Sequence, residues 1–133
     1  MIENLKKKIY EKIAGAGYHI TDKQDYEELF PWVILRMTRM NRAQAITSIH
    51  YTVDYTLDIF SKYSGEAEII QMENTISQLM DKLATEDATI MGVQLKQCRI
   101  LDDKSTGTVL KHGILTYEFV LASASDEEAA NGN

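Results

Sequence analysis

Residues 46–63, ITSIHYTVDYTLDIFSKY, alternate apolar and polar side chains almost without a break. Ile49, Tyr51, Val53, Tyr55, Leu57 and Ile59 fall on one side, and His50, Thr52, Asp54, Thr56 and Asp58 on the other. A period of two places successive side chains on opposite faces of a strand, so this segment predicts one strand with one buried face. Running from Thr47 to Ser61 at about 3.3 Å per residue, it would span about 45–50 Å, well beyond the usual strand of about five or six residues. Part of it is expected to protrude from its own domain. An open strand edge needs a cover, so the length points to an arm or to a sheet continued across subunits.

The flanking segments supply the rest of a small domain. Ile2, Leu5, Ile9 and Ile13 recur at helical spacing among Lys6, Lys7, Lys8 and Lys12, and the GAG at 15–17 ends the helix. YHITDKQDYEELFP, 18–31, reads as a loop closed by the single proline, Pro31. WVILRMTR, 32–39, is β-rich and apolar enough for a buried strand, and MNRAQA, 40–45, reads as a polar connection. From Gly65 the period changes: Ile69, Ile70, Met72, Ile76, Leu79, Met80 and Leu83 form the stripe of a second, longer helix. Two further strands are expected at 90–100 and 113–122, joined by LDDKSTGTVLKH. SASDEEAANGN, 123–133, has nothing to bury and is expected to be a disordered acidic tail.

The predicted order is therefore α-β-β-α-β-β. It implies an α+β domain over 1–122, with a mainly antiparallel four-stranded sheet and two helices on one face. A chain of 133 residues buries enough surface for one such domain and is short for two.

Composition narrows the function classes. A formal charge of −6 disfavours a generic reader of phosphate backbones. One cysteine, Cys98, cannot form an internal disulfide, and no apolar run approaches the roughly 20 residues of a spanning helix. These features favour a reducing cytoplasm and no membrane partner.

No catalytic or metal-binding pattern emerges. Asp54 and Asp58, joined by Glu118 on the last strand, are the most tempting carboxylates, but residues four apart on a strand stand about 13 Å from each other. That is too far to share a metal ion or flank one bond. Their face reads as a wet surface. His19, His50 and His112 lack zinc-ligand spacing, Cys98 reads as a passive thiol on the side of Gln94 and Lys96, and Gly15 and Gly17 lack the strand and third glycine of a dinucleotide fingerprint. Neither a cofactor nor an enzymatic activity is expected. Arg36, Arg39 and Arg42 form a small basic cluster near the first hairpin, which reads first as a solvated strand end and, more sharply, as a contact to an acidic partner surface or to passing DNA.

FPWVILRMTR, a long alternating strand, a helix of about twenty residues, a strand, a loop with DD and a final HGILTYEFVLA together resemble the tail terminator proteins of long-tailed phages, also called tail completion or head-tail joining proteins. The resemblance covers roughly residues 1–122 and rests on element order and texture, with Phe30 and Pro31 before the first strand and His112 and Gly113 at the last. It implies a virion protein, assembled in the host cytoplasm, that forms a hexameric ring on the finished tail tube, stops polymerisation and meets the head connector. Its partners would then be further copies of itself, the tail tube protein and the head-tail connector protein, with DNA only as cargo in the channel. Candidate interface residues are Arg36, Arg39 and Arg42 by the hairpin loop at 40–47, and Asp102, Asp103 and Lys104 in the loop at 102–111. Asp54 and Asp58 are the candidates for a channel-facing surface. A different connector or tube subunit, or an interaction module outside phages, stays open as an alternative.

Overall fold

A computed structural model describes residues 1–22, 31–44, 49–63, 65–85, 88–104 and 110–123. The elements are α1 (Ile2–Gly15), β1 (His19–Thr21), β2 (Trp32–Gln44), β3 (Ile49–Ser61), α2 (Ala67–Asp81), β4 (Ala88–Asp103) and β5 (Leu110–Ser123). The chain is α+β, with one strand more than the sequence predicts. The five strands form one sheet in the order β1-β2-β3-β5-β4, antiparallel throughout except for the parallel β1–β2 pair. The added strand is three residues of the expected loop at 18–31, laid against Trp32, Val33 and Ile34.

α1 buries Leu5, Ile9 and Ile13, three residues of the sequence stripe. It ends at GAG as expected: Gly17 adopts a left-handed φ of 94°, its N–H reaches the carbonyl of Ala14 at 3.0 Å, and the N–H of Tyr18 reaches that of Ile13 at 3.4 Å. That pair of bonds satisfies the last carbonyls of the helix, and glycine adopts the required conformation without steric cost. α2 buries Ile69, Met72, Ile76 and Met80. Both helices pack on the same sheet face, into one core with Val33, Leu35, Val53, Tyr55, Leu57, Ile59, Leu115, Tyr117, Phe119 and Leu121. The methionines of α2 are core filler.

β3 does not protrude. It pairs along its length with β2 on one side and β5 on the other, and all three, with β4, are 13 to 16 residues long. The segment 40–44, expected as a connection, continues β2, because pairing with β3 holds it in the sheet although its side chains are exposed. Asp102 and Asp103 likewise end β4 instead of opening a loop. Among the described residues the open edges lie elsewhere: along β4, and along β2 from residue 35 to 44, where β1 no longer covers it. Of the expected tail, Ser123 closes β5 and 124–133 lie outside the described residues, as do Phe30 and the loop residues 45–48 and 105–109.

Candidate functional site

Most of the candidate residues lie on the sheet face away from the helices, and two bulges decide which of them meet. Between Met37 and Arg39 the β2 register shifts, so that Met37 lies opposite Tyr55 and Arg39 opposite Asp54. Directly opposed residues share a face. The bulge at Thr38 therefore sets Arg39 beside Arg36 on the polar face and turns Arg42, opposite Tyr51, to the helix face. The basic cluster is thus split between faces. In β4 a shift between Leu95 and Gln97 aims Lys96 at the polar face, while Cys98, opposite Leu115, lies on the helix face. Cys98 and Lys96 do not share a side. Burial and the nearby Glu73 carboxylate hold the Cys98 thiol above its usual range, consistent with a passive role.

The polar face is not wet at its acidic positions. Asp54 and Asp58 are each only 5% exposed, covered by cations from neighbouring strands. Arg36 Nε donates to Asp58 Oδ2 at 2.7 Å, and His112 Nε2 lies 2.9 Å from Oδ1. Burial by itself would raise the Asp58 pKa, but the hydrogen bonds and charges of His112 and Arg36 together outweigh it and hold the carboxyl below the usual range. Lys96 Nζ donates to Asp54 Oδ2 at 3.1 Å and lies 3.4 Å from Glu118 Oε2, while Arg39 stands 4.0 Å from both acids. Hydrogen bonds to Asp54, outweighing the cost of desolvation, raise the Lys96 pKa. Between the two clusters the Thr56 hydroxyl bonds to those of Thr38 at 3.1 Å and Thr116 at 3.0 Å.

At one end of this face Trp32, Phe60 and His112 stack across three strands, with ring centroids 5.3 Å and 4.4 Å apart. Phe60 and His112 border a cleft of about 380 Å³ whose wall includes Arg36, Asp58 and Asp103. Asp102 lies on the other face, bonded to Lys111 at 2.7 Å, and that bond and charge lower its pKa. Lys104 follows β4 and is exposed.

Three cations (Arg36, Arg39, Lys96) thus stand over three carboxylates (Asp54, Asp58, Glu118). Each acid is engaged by a cation from another strand, which is an arrangement for holding a surface rather than for proton transfer. Among the described residues no group of three His, Cys, Asp or Glu is placed to hold a metal ion, and no helix is long and apolar enough to cross a membrane. Sequence reading grouped Glu118 with the two aspartates, and the register does set it opposite Asp54, but it missed Lys96 as the partner of Asp54 and Arg36 and His112 as the partners of Asp58.

The family described as Tail completion protein gp17 matches residues 11–122 of this chain. No curated protein matches it. Among solved structures, a chain from the virion of a native gene transfer agent particle shares the fold with a TM-score of 0.70 at 12% identity, over 91% of this chain and 96% of that one.

Proposed function

The chain belongs to the tail completion protein gp17 family and is a phage tail structural protein, and from that premise we propose that it closes the head-proximal end of a finished tail tube. In this reading copies assemble as a ring, a hexamer, which halts tube polymerisation and offers the head connector its docking surface. The observation that carries it is the family match over 11–122, which spans all but the first turns of α1 and ends within β5. The fold adds a sheet with long open edges on two sides, suited to lateral assembly. A reading outside phages gives way to the family.

The interface candidates are divided between the two faces of the sheet. Arg36 and Arg39 form a ridge along β2, while Asp103 and Lys104 stand at the far end of β4. Arg42 and Asp102 belong to the helix face and would serve a different contact. If the polar face lines the channel, passing DNA meets guanidinium groups whose charge is balanced by Asp54 and Asp58 beneath. Such a lining neither grips nor repels phosphate. This replaces a lining of open carboxylates, because those carboxylates are covered.

Deleting the gene from its phage and examining the particles tests the proposal. Complete heads beside unjoined tails of uncontrolled length are expected. Tails of normal length that fail to join would favour a connector subunit, absence of tubes would favour a tube subunit, and normal virions would refute a role in completion.

A further inference from the structure

Two rows of the core run across the sheet and stop unfinished at both ends. The first is Met37–Tyr55–Tyr117–Leu95. Its middle tyrosines are 2% and 1% exposed, but Met37 is 50% and Leu95 36% exposed. The second is Met40–Val53–Phe119–Val93, with Met40 again half-exposed and Val93 only partly buried. An exposed methionine and leucine on separate strands are ordinary. Here, however, each is the terminus of a buried row, on the same face, at the two opposite open edges of one sheet.

The rows of the polar face end in complementary groups. Arg36 leads through Thr56 and Thr116 to Gln97, and Arg39 through Asp54 and Glu118 to Gln94. A guanidinium donates only, and a glutamine amide oxygen accepts. Strand direction agrees as well: β2 and β5 run one way, β3 and β4 the other. A second copy set alongside in the same orientation brings its β4 antiparallel to this β2, as in the rest of the sheet. A two-fold pairing of β2 with β2 centred on this stretch would instead set Arg36 of one copy near Arg39 of the other, which like charge disfavours.

On the reading that the protein forms a ring, we infer that its subunit contact is head-to-tail sheet continuation: the open edge of β2, residues 35–44, pairs with the outer edge of β4 on the next copy. Met37 and Met40 then join the β4 row of Val93, Leu95 and Ile100 on the helix side, and Arg36 and Arg39 meet glutamine amides on the other. The contact uses two different surfaces, so an open assembly keeps one of each free, at its two ends, until the ring closes.

Disulfide trapping tests this. In a Cys98→Ser background, Met37→Cys or Met40→Cys is combined in turn with Val93→Cys, Leu95→Cys or Ile100→Cys, and the protein is oxidised at high concentration and on purified tail tubes. At least one double variant is expected to give a ladder of linked chains up to the closed ring, while each single variant stays unlinked. Met37→Lys and Leu95→Lys are each expected to weaken assembly about tenfold or more with unchanged melting of the subunit. Rings that form by sedimentation but never cross-link, dimers from Leu95→Cys alone, or undiminished assembly of the lysine variants would overturn the edge contact and leave the ring standing. A protein that stays monomeric alone and never decorates tubes would bring down the ring itself, and this contact with it.

Discussion

His112 Nε2 lies 2.9 Å from Asp58 Oδ1, a hydrogen-bonding contact between β5 and the middle strand β3 across 54 residues of chain. Arg36 holds the other oxygen from β2, so Asp58 ties three strands together on a face with no helix over it. A carboxyl with its pKa lowered in the fold stabilises that fold above the unfolded value of about 4. The contribution disappears as pH falls through the lower folded value. Asp58→Asn is therefore expected to cost about 1–2 kcal/mol at neutral pH, the low end because half-exposed Arg36 can turn to water. Thermal melts across a pH series should show the gap to the parent closing in acid; a gap that widens below about pH 3 would contradict this account.

Gly113 sits in β5 where a Cβ would come within 2.6 Å of Ile59 Cγ1, 2.9 Å of its Cδ1 and 3.3 Å of Ile69 Cγ1. Ile59 is buried and Cγ1 is not a free end that can swing aside. Gly113→Ala is expected to destabilise by about 1–3 kcal/mol through overpacking, read as a lower denaturant midpoint. An unchanged midpoint would contradict this account, because it would mean that the Ile59 side chain moves aside without cost.

Burial pushes the pKa of Tyr55 and of Tyr117 up to about 12. A phenol harder to ionise in the fold than in the unfolded chain leaves stability untouched below about pH 10 and withdraws it between there and about pH 12. Ultraviolet titration should show Tyr55 and Tyr117 ionising late, together with unfolding. Tyr117→Phe removes the 2.6 Å bond to Ser77, but Ser77 keeps Glu73 at 2.9 Å. The loss should stay near about 1 kcal/mol, and a much larger one would mean that Ser77 depends on the phenol.

Deleting Thr38 removes the extra residue of the bulge and leaves Met37 and Arg39 on the faces they already occupy. The variant is expected to fold, with a melting temperature lower by about 3–5 °C for the lost bond to Thr56. Deleting Leu35 instead shifts Trp32, Val33 and Ile34 by one residue, exchanging their faces, and should prevent folding. Equal behaviour of the two deletions in circular dichroism melts would refute the assignment of the bulge.

Legibility in the sequence tracked burial. The stripes of α1 and α2 and the alternation of β3 and β5 could be read because the core side of each is apolar at a regular period. β1 was missed because His19–Thr21 is too short and mixed to carry a period; its place is fixed by pairing with β2, including the 3.1 Å bond from the His19 N–H to the Pro31 carbonyl. The outer half of β2 was missed for a related reason, since Met40 to Gln44 are exposed and held only by the neighbouring strand. The candidate acids were legible as a face but not as buried ion pairs, because their partners stand 22, 42 and 54 residues away. Nothing local marks Thr38 or Lys96 as bulged, and those two positions decide which charges meet.

β5 lies between β3 and β4, although it follows both in the chain. During synthesis at about 5–20 residues per second, β4 is made before β5, its neighbour among the described residues. Until Leu110–Ser123 has been made, neither the Tyr55–Tyr117 row nor the outer edge of β4 can be in place. A nascent or truncated chain thus lacks one of the two surfaces by which finished copies would recognise each other, and translation itself keeps unfinished subunits out of the assembly.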